Sequence, residues 1–228
     1  MNTLSIIIPA YNEEKTIGDV LEKVSALALS DWDKQIIVVN DGSHDKTEEA
    51  VAPFRDSLTY LRHPINLGKG AAIRSALAHI RGDAVLIQDA DLEYHLEDIP
   101  DLLAALSDER VHAVYGSRSL IARQDGYRHY VLGAWFLTKL VNLCFRSRLT
   151  DVYTCYKLVR TPVFLSLDLK SRGFEYEMEV TARLLSRGHH IKEVPIRYAP
   201  RSFSEGKKIR ARDGITGIKT LVKNYFRK

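Results

Sequence analysis

The stretch AVLIQDADLEYHLEDI, residues 84–99, decides the fold of this chain. Its first four residues are continuously apolar, which predicts a short strand that is buried on both faces. Acidic residues follow at once, and an extended chain would point Asp89, Asp91 and Glu93 to the same side. Carboxylates at the end of a buried strand suit Mg²⁺ or Mn²⁺, which complete their coordination shell with phosphate and water. The alternative is an acidic turn without a ligand.

Strand-length apolar runs and helical patterns alternate on both sides of this stretch. The other predicted strands of this half lie at residues 4–8, 35–39, 58–62 and 113–115. Such alternation predicts an α/β fold, in which a mostly parallel central sheet has helices on both faces. Ligands bind outside the carboxyl ends of the strands of such a sheet. The polar residues that follow the predicted strands are Tyr11, Glu13, Asp41, Asp89 and Asp91.

Length and composition indicate one globular domain in a reducing compartment. The chain has 228 residues, 45% of them hydrophobic and 27% charged, which excludes a disordered chain. Its two cysteines, Cys144 and Cys155, are too few for a disulfide framework. No secretory leader is predicted, and the longest apolar stretch, residues 131–145, is shorter than the ~20 residues that span a bilayer. We therefore expect a cytoplasmic protein.

The Gly-Lys-Gly sequence at residues 68–70 opens a predicted helix, where backbone N–H groups attract anions. Neither familiar phosphate-binding motif fits. A P-loop requires glycine where this chain has His63, and a dinucleotide fingerprint requires glycine where it has Ile73. What remains is a nucleotide-diphosphate site built around a cation, with Asp41 available for a ribose or base edge and Lys69 for a phosphate.

Several motifs, taken in order, resemble the family-2 inverting glycosyltransferases of the GT-A fold. They are SIIIPAYNEE at 5–14, VNDGS at 39–43, NLGKG at 66–70, DAD at 89–91 and GSR at 116–118. TDVYTCYK at 150–157 and EGKKI at 205–209 resemble the branch that makes polyprenyl-phosphate sugars, the dolichol-phosphate mannose and glucose synthases. The resemblance implies hexosyl transfer from a nucleotide-diphosphate sugar to a polyprenyl phosphate. It slightly favours UDP-glucose over GDP-mannose as the donor.

The resemblance also implies roles for individual residues. Asp89 lies near the donor, while Asp91 and Glu93 hold the metal, Mg²⁺ or Mn²⁺. The donor nucleotide contacts Pro9, Tyr11, Glu13, Asp41, Lys69 and Ala90. The acceptor phosphate is held by Arg118, Arg128, Arg201 and Lys208. The family more often has Asp-Pro in the turn after the acidic pair, where this chain has His95 and Leu96, so His95 is either an exposed turn residue or an added ligand.

The acceptor determines the remaining chemistry, and three interpretations stay open. A phosphate monoester, whose second pKa is about 6, is already anionic at neutral pH and needs cations rather than a base. A sugar or lipid hydroxyl needs a carboxylate to take its proton, and Asp151 is then the candidate. In the third interpretation the protein is a non-catalytic nucleotide-binding or membrane-binding protein whose carboxylates are structural.

Two helices predicted in the second half of the chain indicate how the protein reaches a lipid acceptor. We divide the single domain into a nucleotide-sugar-binding half, residues 1–118, and an acceptor-binding half, residues 119–228. A long apolar helix is predicted at residues 130–146 and a basic amphipathic helix at residues 215–228. These helices predict peripheral association with an anionic membrane surface on its cytoplasmic face, or recruitment by a small membrane partner protein. No nucleic-acid partner is expected.

Overall fold

The computed structural model describes residues 1–121, 128–201 and 211–226, with the backbone alone at 128–131 and 211–213. Its strands are β1 (Asn2–Ala10), β2 (Trp32–Asn40), β3 (Thr59–Arg62), β4 (Ala84–Ile87), β5 (Ala113–Ser117), β6 (Lys157–Arg160) and β7 (Ile191–Pro195). They form a seven-stranded sheet in the order β3-β2-β1-β4-β6-β5-β7. β6 runs antiparallel to β4 and β5, and the other neighbouring pairs are parallel. The predicted mostly parallel sheet is confirmed.

The α-helices of the described residues alternate with the strands through the first half of the chain. They are α1 (Ile17–Ala26), α2 (Thr47–Val51), α3 (Lys69–Ala76), α4 (Ile99–Leu106), α5 (Arg128–Phe145), α6 (Thr161–Ser166), α7 (Tyr176–Ser186) and α8 (Ala211–Tyr225). α1 buries the stripe that its 3.6-residue period predicts, which comprises Ile17, Val20, Leu21 and Val24.

The main core surrounds β1, β2 and β4. Ile6, Ile7 and Ile8 of β1 have no exposed surface, although successive side chains of a strand point to opposite faces. Other elements must therefore cover both faces of the sheet, as the continuous apolar runs predict. β4, the strand that opens the stretch of residues 84–99, has the predicted bounds. All four of its residues are buried.

A second, smaller apolar cluster joins α5, α7 and α8. It includes Leu137 and Val141 of α5, Met178 of α7 and Leu221 of α8. One side of α5 and one side of α8 are therefore buried against the body of the protein. Within the described ranges, no helix is both long enough and apolar enough to cross a membrane.

Two local features differ from the sequence-based expectations, and a third expectation falls on residues that the structure does not describe. The sequence did not predict α6, which is only six residues long. The partial alternation of residues 191–198 predicts a strand up to Tyr198, but β7 ends at Pro195. Tyr198 instead forms an isolated antiparallel bridge with Tyr94. The polar sequence of residues 124–128 predicts a loop. It lies outside the described residues, apart from the backbone of Arg128.

Candidate active site

A cavity of about 500 Å³ lies where the loops after β1, β2, β4 and β5 converge. Parallel strands end at the same edge of a sheet, so these loops bring together residues that are far apart in sequence. The predicted site residues that line the cavity are Pro9, Tyr11, Glu13, Asp41, Lys69, Asp89, Ala90, Asp91, Glu93, Arg118 and Arg201. Asp151 does not line it. The structure thus brings together all the predicted donor and metal residues.

Three carboxylates on the cavity wall surround the guanidinium of Arg201. Glu13 accepts hydrogen bonds from both terminal nitrogens of Arg201, at 2.9 and 3.2 Å. Asp91 accepts one from the same guanidinium at 2.9 Å. Glu93 accepts a hydrogen bond from the backbone N–H of Arg201 at 2.8 Å, and its carboxylate lies 3.7 Å from Nε. Arg201 was predicted to bind the acceptor phosphate. In the structure it contacts the carboxylates predicted to hold the metal.

Asp91 lies in a strongly acidic environment. Burial, together with the charges of Asp89 and Glu93, raises the pKa of Asp91 to about 7, although Arg201 acts in the opposite direction. A divalent cation would relieve this repulsion, and carboxylate oxygens are the ligands that Mg²⁺ and Mn²⁺ prefer. In the described part of the chain, no three His, Cys, Asp or Glu side chains form a complete metal site. Two carboxylates, Asp91 and Glu93, are a donor set that suits a cation which completes its shell with substrate phosphate and water.

We expect the metal-free protein to lose stability as the pH rises through about 7. The pKa of Asp91 is raised from 3.8 to about 7, so the folded state binds this proton more tightly than the unfolded state does. The stabilisation is complete below about pH 4 and is lost as the pH rises through the folded pKa. Tm measured at about pH 5.5 and about pH 8.5, with and without Mg²⁺, tests this expectation. Mg²⁺ should restore Tm at the higher pH, and an unchanged pH dependence in Asp91→Asn would contradict the assignment.

Lys69, the first residue of α3, is shared between the partly buried carboxylate of Asp89 and the buried carboxylate of Glu177. Its Nζ lies 2.8 Å from Asp89 and 3.0 Å from Glu177. Glu177 also forms an ion pair with Lys157, which is itself buried. Burial favours the neutral form of Asp89, but the Lys69 ammonium holds the pKa of Asp89 below its ordinary value. Lys69 therefore keeps Asp89 ionised on the cavity wall, in addition to its predicted contact with a donor phosphate.

Asp41, predicted to contact the ribose or base, also organises the loop after β3. Its Oδ1 lies 2.6 Å from Nδ1 of His63 and accepts a hydrogen bond from the Leu67 N–H at 2.9 Å, while its Oδ2 accepts one from the Gly68 N–H at 2.8 Å. Nε2 of His63 lies 2.9 Å from Oγ of Ser75. Gly68 has a φ of 97°, which favours glycine. His63 thus supports the carboxylate that holds this wall of the cavity.

Arg118 and Asp151 form a bidentate ion pair beside the cavity. Nε and Nη2 of Arg118 lie 2.7 and 2.9 Å from the two oxygens of Asp151, which is only 3% exposed. Burial favours the neutral acid, but the guanidinium lowers the pKa of Asp151 below its ordinary value. A low pKa and a fixed partner make Asp151 a poor proton acceptor. The geometry therefore disfavours Asp151 as the base that the hydroxyl-acceptor interpretation requires.

Comparison with known proteins shows the family of this chain. Residues 5–167 match the model of glycosyl transferase family 2. The chain belongs to this family. It is similar to the low-salt glycan biosynthesis hexosyltransferase Agl6 of Haloferax volcanii, with 31% identity over 205 residues, 87% of this chain and 48% of the relative. It is also similar to the dolichyl-phosphate beta-glucosyltransferase ALG5A of Trichomonas vaginalis, with 39% identity over 104 residues, 42% of this chain and 32% of the relative. The matched parts cover less than half of either relative.

The fold agrees with the family assignment. A crystal structure of glucosyl-3-phosphoglycerate synthase from Mycobacterium tuberculosis, in complex with Mn²⁺, UDP-glucose and phosphoglyceric acid, has a TM-score of 0.76 to this chain. The similarity covers 99% of this chain and 80% of the synthase, at 23% sequence identity. At this identity it shows the fold alone. The predicted GT-A fold and the predicted enzyme class, a family-2 glycosyltransferase, are confirmed.

Some residues of this family-2 site were not predicted from the sequence. The cavity is also lined by Tyr94, Cys155, Glu177 and Tyr198. Of these, Glu177 has a local signal, because it is acidic in the first turn of a helix. Lys208 and the side chain of Arg128, both predicted acceptor contacts, lie outside the described residues. His95 has a side chain that is 42% exposed and does not line the cavity, which favours the exposed turn residue over the added ligand.

Proposed function

We propose that this glycosyltransferase moves a hexosyl group from a nucleotide-diphosphate sugar of the UDP-glucose type to a polyprenyl phosphate. The name of the relative ALG5A, a dolichyl-phosphate beta-glucosyltransferase, supports this acceptor class. The UDP-glucose bound to the M. tuberculosis synthase supports this donor class, with GDP-mannose as the alternative. The observation that carries the proposal is the ion pairing of Asp151, the candidate base of the hydroxyl interpretation, and of Asp89 on the cavity wall.

Each of these two carboxylates is held by a cation that lowers its pKa. Lys69 pairs with Asp89, and Arg118 pairs with Asp151. Transfer to a hydroxyl works best with a base whose pKa lies near the operating pH. Asp91 has such a pKa without a metal, but a bound divalent cation would lower it and use its oxygens as ligands. An acceptor phosphate, which is already anionic, therefore suits this site better than a hydroxyl.

The cavity residues divide into donor and acceptor contacts. When bound, Mg²⁺ or Mn²⁺ would neutralise the departing diphosphate as a Lewis acid, held by Asp91 and Glu93. Asp41 would orient the nucleoside, and Arg118 would hold the acceptor phosphate. An oxygen of that phosphate attacks C1 of the sugar, and the C1–O bond to the nucleotide diphosphate breaks on the opposite face. The anomeric configuration is therefore inverted.

A calorimetric titration tests the donor part of the proposal. We expect UDP to bind at least about tenfold more tightly with Mn²⁺ than without it, and more tightly than GDP. Asp91→Asn should remove the effect of Mn²⁺. Asp101→Asn, which changes an exposed residue of α4, should preserve it. If neither nucleotide bound in a metal-dependent way, the non-catalytic interpretation would replace the proposal; tighter binding of GDP would point to GDP-mannose.

His63→Ala is expected to raise the donor KM about tenfold and to change kcat less than about threefold. His63 does not line the cavity and acts through Asp41, 2.6 Å away. A nucleoside contact is made equally in the ground and transition states, so its loss weakens binding rather than chemistry. Initial rates at varied donor concentration measure both constants. Ser75→Ala, which removes only the outer partner of His63, should stay close to wild type, and a lower kcat at unchanged KM in His63→Ala would contradict this role.

Two helices of the second apolar cluster, α5 and α8, also expose apolar side chains. On α5, Leu132, Trp135, Phe136 and Leu143 are 64%, 56%, 56% and 79% exposed. The ends of α5 and α8 meet, because the rings of Phe145 and Tyr225 lie 5.7 Å apart. Ile215 and Val222 of α8 are exposed, as is Phe226, which follows the helix. The two helices also carry the exposed lysines Lys139, Lys219 and Lys223. Such a surface suits the interface of an anionic leaflet, so the proposal places this face on the cytoplasmic side of a membrane.

We expect the protein to sediment with vesicles that contain anionic lipid at low salt and to be released at high salt. The double substitution Trp135→Ser and Phe136→Ser should reduce sedimentation, because it removes exposed apolar area. Leu165→Ser, on α6, is the matched control. Point substitutions are preferable to deleting the end of α8, because Leu221 is fully buried. Sedimentation unaffected by the double substitution would contradict the use of this face, and binding that required an added membrane protein would favour recruitment by a partner.

A further inference from the structure

The guanidinium of Arg201 lies where the proposed function requires a divalent cation. It donates to Glu13 and to Asp91, and the Glu93 carboxylate lies 3.7 Å from its Nε. Asp91 and Glu93 are the two residues predicted to hold the metal. The Arg201 side chain is only 15% exposed, so solvent screens these charges weakly. One resident positive charge therefore already balances part of the acidic cluster.

The hydrogen bonds of Asp91 and Glu93 show how fully these carboxylates are engaged. Oδ1 of Asp91 accepts a hydrogen bond from the Glu93 N–H at 3.2 Å, and its Oδ2 accepts one from Arg201 at 2.9 Å. Oε1 of Glu93 accepts one from the Arg201 N–H, and its Oε2 accepts one from the Tyr198 hydroxyl. All four oxygens thus have a protein donor. A cation that coordinated Asp91 at Oδ2 would therefore compete with the Arg201 guanidinium for this oxygen.

Nε of Arg201 has no matching partner. It is buried, and it makes no hydrogen bond within the described residues. Guanidinium groups use their donors most completely on bidentate oxygen groups such as phosphates. In its position among the carboxylates, Arg201 therefore has one unused donor, Nε–H. A phosphate group could accept a hydrogen bond from it.

We propose that Arg201 is a resident counter-ion that competes with the divalent cation for Asp91 and Glu93, and that the nucleotide diphosphate ends this competition by accepting the guanidinium. The inference rests on the proposed function, since it assumes that a metal and a nucleotide diphosphate bind in this cavity. Two cations at one pair of carboxylates repel each other, whereas the diphosphate brings negative charge that both can share. The free protein should therefore bind metal weakly, and the nucleotide should strengthen metal binding.

Direct measurement of Mn²⁺ binding by electron paramagnetic resonance tests the competition without relying on activity. The titration is carried out without nucleotide at about pH 8.5, where protons compete little for the carboxylates. Arg201→Gln should bind Mn²⁺ at least about tenfold more tightly than wild type, because a nearby positive charge has been removed. With UDP present, this advantage should shrink or reverse, because the variant has lost a diphosphate contact.

Two further variants make the outcomes distinct. Arg197→Gln removes the same charge four residues earlier, from a half-exposed side chain paired with Asp98, and should leave the Mn²⁺ affinity within about twofold of wild type. Asp91→Asn should abolish Mn²⁺ binding. If it does, and Arg201→Gln binds Mn²⁺ no more tightly than wild type, the competition is overturned while the metal assignment stands. If Asp91→Asn leaves Mn²⁺ binding unchanged, both the competition and the metal assignment of the proposed function are overturned.

Discussion

Asp91→Asn is expected to lower metal-dependent sugar transfer by about 10³-fold or more while the protein stays folded. Asparagine keeps the shape of the side chain, but it lacks the charge that balances a divalent cation. Burial and the neighbouring charges of Asp89 and Glu93 raise the pKa of Asp91 to about 7, so loss of this carboxylate should not lower Tm of the metal-free protein. Initial rates at saturating Mn²⁺ and a thermal melt measure the two effects.

Two comparisons isolate the effect of Asp91. Glu93→Gln should reduce turnover less, but it should also loosen the segment around Tyr198 and Arg201, because Glu93 accepts hydrogen bonds from both residues. Asp101→Asn should have wild-type rates, since Asp101 is exposed on α4. Undiminished turnover in Asp91→Asn would show that the metal is not held here.

Asp151→Asn is expected to destabilise the protein by about 3–5 kcal/mol. The substitution leaves the guanidinium of Arg118, whose side chain is only 16% exposed, without its carboxylate partner. Denaturant unfolding measures the change in the free energy of unfolding. Asp168→Asn is the matched control, because its ion pair with Lys170 is largely exposed and should contribute little to stability. Equal effects of the two substitutions would contradict the importance of the buried pair.

The same variant separates the two acceptor classes at a temperature where it remains folded. With a phosphate acceptor, Asp151 acts only through Arg118, so the acceptor KM should rise and kcat should fall less than about tenfold. With a hydroxyl acceptor, loss of the general base should lower kcat by about 10²-fold to 10⁴-fold. Rates measured over a range of acceptor concentrations distinguish these outcomes. A collapse of kcat at unchanged acceptor KM would revive the interpretation of Asp151 as a base.

Much of the fold was predictable because its signals are local. The continuous apolar runs of β1, β2 and β4 predict buried strands, and their alternation with helical patterns predicts a parallel sheet. The antiparallel insertion of β6 between β4 and β5 was not predicted. A local sequence pattern indicates a strand but not the strand with which it pairs. α6 was missed for a similar reason, since six residues are too few to show a period.

The sequence predicted which residues line the site much better than it predicted which of them form ion pairs. Residues that follow parallel strands must meet at one edge, so Tyr11, Asp41 and Asp91 could be grouped from sequence. Their partners come from distant segments: Arg201 contacts Glu13 across 188 positions, and Arg118 contacts Asp151 across 33. These ion pairs change the expected roles, because a carboxylate with a fixed cation is a weaker base than a free one.

Transfer of labelled glucose from UDP-glucose is the most direct test of the proposed function. The purified protein, with Mn²⁺, is given either a polyprenyl phosphate or the matching polyprenol, and the lipid product is separated and its anomeric configuration determined. The proposal predicts labelled lipid from the phosphate alone, with a β-linkage formed from the α-linked donor, and no product when Mn²⁺ is chelated. Efficient transfer to the polyprenol, or retention of the α configuration, would contradict it.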